Sequence, residues 1–324
     1  MTDRLLAGGI ITAMLLGAGC TNPPGATSAD PATPVVAGSS VDPAVVERAR
    51  NTLAELLTHN DETVRAHAIE AFKDSMGPAG RQVYINALRD QSSLVRFAGA
   101  MAIGEVRLAE AKPLLVPLLT DADPSVQVAS IFAMHRLGET KYSVGLERSL
   151  GSPDKWTRAN TCMVLGRLGE KSAVKILKPA LRDSPVEVRL QAAEALGRRG
   201  DEDGLAFLVA TTISGNPGHQ LVGILALAGP KDTRVIDHVR AGLSSTYQEV
   251  VLVTARALAM LGSNEAYDKA LAATTSTDAR QRSLAALALG ASGKPQAAAP
   301  LTSLLKDSDP DVRVAASLAI LQLR

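Results

Sequence analysis

Aromatic residues are scarce in this 324-residue chain: four Phe, four Tyr and one Trp, against 46% hydrophobic residues overall. Its interior must therefore be built from Ala, Leu and Val, in layers thin enough for small side chains to fill. Cysteine is nearly absent, with only Cys20 and Cys162. A disulfide-stapled fold and a Cys-based metal cluster are both excluded by that count. The formal charge is +1, with no run of Lys or Arg, which argues against nucleic-acid binding through clustered phosphate contacts. The five histidines (His59, His67, His135, His219 and His238) form no HExxH motif and no cluster with ligand spacing, so no metal is expected. No G-x-S-x-G elbow, phosphate-binding loop or dinucleotide fingerprint occurs in the body of the chain. Carboxylates are spread out and no pair of them is isolated among apolar residues, so acid/base chemistry has no obvious seat and no cofactor is expected.

The only long apolar run lies at the start. Leu5 to Ala18 carries no charge, follows Arg4, and is shorter than the roughly 20 residues a membrane span needs. Gly17, Ala18 and Gly19 then lead into Cys20. This resembles the lipobox of bacterial lipoproteins, although Gly17 stands where that family usually carries Leu. The resemblance implies a signal peptide over 1–19, a lipidated Cys20, and a protein exported and anchored at the cell envelope, on the outer membrane if there is one. Residues 20–41 are rich in Pro, Gly, Ala, Ser and Thr, which suits a flexible tether with a reach of roughly 25 Å.

From Asp42 to the C-terminus the chain repeats every 31 residues. Arg65, Arg96, Arg158, Arg189, Arg282 and Arg313 share one column, with Gln127, Gln220 and Val251 filling its gaps. Six places later runs an Ala column (Ala71, Ala102, Ala133, through Ala319), and three places after the Arg runs a column of small residues. A fixed period with small and apolar columns indicates stacked helical hairpins. Asp42-Pro43, Asp123-Pro124, Asn216-Pro217 and Asp309-Pro310 are helix-start signals. Gly138, Gly169, Gly200, Gly262 and Gly293 fall where the second helix of each hairpin should end.

The pattern D-x-D-P-x-V-R-x-A-A at Asp307–Ala316 resembles the HEAT repeat, and its 31-residue length resembles the short class named after phycobilisome lyases. The resemblance covers residues 42–324 and implies an all-α, right-handed solenoid of about nine hairpins. It implies also that the Arg column is structural, an Asp/Arg ladder tying adjacent repeats. Asp61, Asp154, Asp278 and Asp309 stand four residues before their Arg, on the same helix face. HEAT-family iron hydroxylases carry His-Glu pairs, and no His here is followed by Glu. Cys162 lies among small and apolar columns, as a packed residue rather than a nucleophile.

Second helices line the concave side of HEAT solenoids. On that side two columns are apolar, including Phe97, Met101, Val128, Phe132, Met163 and Leu225, with Glu70, Glu194 and Arg256 interrupting them. These residues are the expected docking groove for an apolar segment of a protein partner, unless curvature buries the strip. The functional expectation is a non-enzymatic, membrane-anchored scaffold that binds another protein. The alternative, carried by likeness to the lyases alone, is an enzyme acting on a chromophore- or cofactor-bearing protein.

Overall fold

A computed structural model describes residues 41–323, and the expected signal peptide, lipidated Cys20 and tether up to residue 40 lie outside them. Each repeat is a hairpin of a short outer helix and a longer inner one. The inner helices are α2 (Glu62–Met76), α4 (Ser93–Val106), α6 (Pro124–Arg136), α8 (Lys155–Leu168), α10 (Val186–Gly197), α12 (Pro217–Ala228), α14 (Gln248–Met260), α16 (Ala279–Ala291) and α18 (Pro310–Gln322). The outer helices are α1 (Pro43–Leu56), α3 (Arg81–Ala87), α5 (Lys112–Leu115), α7 (Val144–Leu150), α9 (Ala173–Leu177), α11 (Glu202–Thr212), α13 (Ile236–Arg240), α15 (Tyr267–Ala273) and α17 (Ala298–Leu304). Short 3-10 turns such as Pro117–Thr120 and Lys178–Arg182 extend several of the outer helices.

The starts and stops obey the local chemistry. The side chains of Asp42, Asp61, Asp123, Asp154, Asn216, Asp278 and Asp309 each accept a backbone N–H from the first turn of the helix they precede. The Asp carboxylates among them also oppose the positive helix end. Gly169 ends α8 in the left-handed region at φ 73°, a conformation that costs a residue with Cβ about 1 kcal/mol or more.

Each inner helix packs on the next, from α2 round to α18, and α18 packs in turn on α1 and α2. The all-α solenoid therefore closes into a ring, its ninth repeat seated on its first. Nine equal steps of about 40° complete a turn, so small per-repeat rotations suffice for closure. Val45, Ala49 and Leu53 of α1 share one apolar core with Ala316 and Ile320 of α18. A polar clasp joins the same two repeats: His67 Nδ1 lies 2.7 Å from an Asp311 carboxylate oxygen, across 244 residues of sequence.

Candidate functional site

The Arg column forms a ladder, and its partners are not the residues four places back. Arg65 grips Asp90 through Nε at 3.0 Å and Nη2 at 2.8 Å. Arg96 does the same with Asp121, Arg158 with Asp183 and Arg282 with Asp307, at 2.7–2.9 Å. Each Asp lies 25 residues on, in the turn of the following repeat, so every such bidentate pair crosses a repeat junction. The Nη1 group meanwhile donates to two carbonyls of the Arg's own turn, as from Arg282 to Ser276 and Thr277. Asp61, Asp154, Asp278 and Asp309 instead cap their own helices. Among the described residues Arg189 and Arg313 keep only the carbonyl contacts. Where Asp is replaced by Ser152 or Ser245, the matching Arg is replaced by Gln127 or Gln220, each holding one turn carbonyl at 2.6 Å.

The expected groove is corrected by closure. Phe97, Met101, Val128, Phe132, Met163 and Leu225 are all buried, at 0–7% exposure. Side chains from non-adjacent repeats meet behind them: Met163 and Arg167 border a cavity of about 10 Å³ together with Glu70, Lys73, Phe97 and Met101. That is room for about one water molecule. The strip is the inner core of the ring, because closure turns inner faces from different sides of the ring toward one another.

The charged residues interrupting the strip sit in that interior. Lys73 bridges Asp74 at 2.9 Å and Glu105 at 2.5 Å, and Arg167, two repeats beyond Glu105, pairs with it across the ring. Burial opposes the Glu105 carboxylate, but the charges of Lys73 and Arg167 outweigh it and hold its pKa at about 2. Burial pushes the Glu70 and Asp74 carboxyls upward, more than Lys73 can restore. Burial draws Arg256 down to about 10, against the pull of Asp74. Glu194 pairs with Arg198 at 2.8 Å. Cys162 is fully buried and its thiol is pushed up to about 12 by burial, which leaves it a packed residue without thiolate character. Among the described residues no group of three His, Cys, Asp or Glu could hold a metal ion.

What the ring leaves open is its rims. On the rim of inner-helix N-termini, a cleft of about 550 Å³ spans three repeats and is lined by Gln91, Arg96, Asp123, Ser125, Asp154 and Trp156, among others. Trp156 is the one tryptophan of the chain and is half-buried. Lys155 lies 4.7 Å over its ring and is held there by Glu187 at 2.7 Å. Trp156 belongs to none of the repeating columns, although a lone Trp in the first turn of a helix was a visible signal in the sequence.

The repeat geometry agrees with comparison to known families. A model described as HEAT repeats matches residues 81–152 and 143–218, and one described as PBS lyase HEAT-like repeat matches residues 281–307. This chain belongs to the HEAT-repeat proteins. No curated protein matches it. Among solved structures, this HEAT-repeat chain is similar to the complex of CpcE and CpcF of phycocyanin lyase from Nostoc sp. PCC7120, at 18% identity and a TM-score of 0.46, over 80% of this chain and 98% of that one. It is similar also to human deoxyhypusine hydroxylase, at 19% identity and a TM-score of 0.38, over 86% and 97% of the two chains. Both likenesses concern the fold.

Proposed function

We propose that this HEAT-repeat ring is a scaffold, held at a membrane of the cell envelope by a lipidated Cys20, that binds another protein through its N-terminal rim. The observation that supports this is the cleft around Trp156. It sets a large amphipathic ring beside Ser93, Ser125 and Gln91, whose side-chain polar atoms make no hydrogen bond among the described residues. A Trp flanked by open polar groups on a rigid rim is the composition that anchors protein interfaces. The ladder beneath it supplies rigidity, since Arg96 is fastened to Asp121 and to the carbonyls of Asp90 and Gln91. Docking here costs little ordering of the scaffold.

The test is crosslinking and pull-down from intact envelopes with the full chain as bait, comparing Trp156→Ala with the parent. Loss of one captured protein, with helical circular dichroism unchanged, is the expected result. Unchanged capture by the folded variant would remove the rim from the reading. An anchoring test is separate: Cys20→Ala should release the protein from the membrane or stall its processing.

A further inference from the structure

We propose that the opposite rim, formed by the C-terminal ends of the inner helices, rests directly on the phosphate headgroups of anionic phospholipids. The first observation is a concentration of arginine there. Arg107 follows α4, Arg136 ends α6, Arg167 lies in the last turn of α8, and Arg198 and Arg199 follow α10. Arg167 and Arg198 are engaged by Glu105 and Glu194. Arg107, Arg136 and Arg199 are in no ion pair among the described residues, and neither is Lys171. Arg136 lays its Nε 3.4 Å from the Gly104 carbonyl in the last turn of α4, just before Arg107. Both cations thus stand at the end of one helix, and Arg107 adds to burial in drawing the Arg136 pKa down. Arg199 reaches the corresponding end of α8, where its Nη1 would lie 3.7 Å from a Cβ on Gly169. Of the acids on this edge, Glu139 is paired with Lys112, Asp201 and Asp203 share Lys178, and Glu170 faces His135 at 3.9 Å. Asp42, Glu110 and Glu202 are in no ion pair among the described residues, which leaves the four unpaired cations in a small excess.

The second observation is strain. Arg107 adopts φ 55° at a column where five other repeats place glycine. A side chain held in the left-handed region against a cost of about 1–2 kcal/mol, where glycine would be free, calls for a use of that side chain. Arg107 is exposed, and its cation makes no hydrogen bond or ion pair among the described residues.

The third observation is where the chain enters. The helix α1 runs antiparallel to α2, so its start at Pro43 lies on this same edge. Any segment preceding residue 41 therefore joins the ring on the basic side. An anchor at Cys20, on a tether of roughly 25 Å, would bring this rim, and not the Trp156 rim, against lipid. Arginine phosphate contacts then add to the anchor's hold, each by about fivefold, and turn the partner-binding rim outward. This inference does not depend on the Trp156 reading, because the two rims are opposite.

The experiment is vesicle co-sedimentation with the full chain carrying Cys20→Ser, so that no lipid is attached. Vesicles are phosphatidylcholine alone, or phosphatidylcholine mixed with phosphatidylglycerol. The leader carries Arg4 and the α-amino group and is attracted to anionic lipid too, but it is common to the parent and the rim variants and cancels between them. The expected result is preferential binding to the phosphatidylglycerol vesicles that weakens with salt. Arg107→Gly, which restores the residue the conformation prefers and so preserves the fold, should weaken that preference about fivefold. Arg107→Gly with Arg136→Ala and Arg199→Ala should weaken it roughly a hundredfold. Equal binding to both vesicles, or full binding by folded Arg107→Gly and triple variants, overturns the proposal. Inorganic phosphate at matched ionic strength should leave vesicle binding intact. If it abolishes binding, the rim holds a small anion only, and the lipid-surface reading is wrong.

Discussion

Gly166 and Gly197 occupy the same place in consecutive repeats, yet the ring makes opposite demands on them. A Cβ on Gly166 would lie 2.6 Å from the Cβ of Ala195 and 2.8 Å from its Cα. Both atoms belong to the neighbouring inner helix, so backbone has to move. A Cβ on Gly197 would meet only the tips of Leu208 and Leu205, at 3.1 and 3.4 Å, and leucine tips can swing. Replacing a helical glycine by alanine gains about 1 kcal/mol in propensity, while overpacking a close helix contact costs about 1–3 kcal/mol. The contact outweighs propensity at Gly166, so Gly166→Ala should be net destabilising by about 1–2 kcal/mol. At Gly197 propensity wins, and Gly197→Ala should be neutral or stabilising by up to about 0.5 kcal/mol. Thermal melts followed by circular dichroism decide it, with about 2–4 °C expected per kcal/mol. Gly290→Ala, 2.7 Å from Ala319 Cα, should follow Gly166. A Tm that rises in Gly166→Ala would refute the close packing of inner helix on inner helix.

Other perturbations test other parts of the account. Ala285, fully buried, should tolerate Leu poorly, at a cost of about 3 kcal/mol, whereas Arg282→Ala should remove one junction tie at about 1–2 kcal/mol; the reverse order in urea titrations would misassign core and ladder. Phe132, 1% exposed, should cost about 3–5 kcal/mol as Ala, and Phe132→Asp should fail to fold rather than yield a folded, binding-deficient protein. Glu70→Gln should stabilise the ring at neutral pH, because a carboxyl whose folded pKa is raised costs stability once pH exceeds its unfolded value; the gain should vanish as pH falls toward 4. Glu105 has the opposite sign: held at about 2, it contributes stability above its unfolded value that is lost as pH falls from about 4.5 toward 2. Glu105→Gln should therefore lower the neutral-pH Tm and flatten the acid limb of the stability curve.

The architecture was legible because it rests on local rules repeated many times. Asp or Asn before Pro, Gly at a helix end, and Ala at the inner contact each carry their meaning within one hairpin. The ladder was half legible. The Arg column stands out by period, but its carboxylate lies one repeat further on. Only the covariation of Gln127 with Ser152, and of Gln220 with Ser245, hints at that. Closure was not legible, since whether nine junctions sum to a full turn depends on small rotations that no column encodes. The fate of Phe97, Met101 and Phe132 followed from it: an apolar inner strip reads the same as a groove or as the core of a ring. Glu70, Glu194 and Arg256 were the available sign, because charges spaced round a closed interior can meet one another. The rim at Trp156 was not legible in the repeating columns, because a residue that occurs once has no period.

The central claim is that the ninth repeat seats on the first. Its most direct test is crosslinking of His67→Cys to Asp311→Cys with a short bismaleimide, in a chain carrying Cys20→Ser so that the buried Cys162 is the only other thiol. The 2.7 Å contact between the native side chains holds the two positions within reach of such a linker and predicts crosslinking within one chain, read as a mobility shift independent of protein concentration. An open superhelix would hold these positions far apart, and the pair would then stay unlinked or link only between chains.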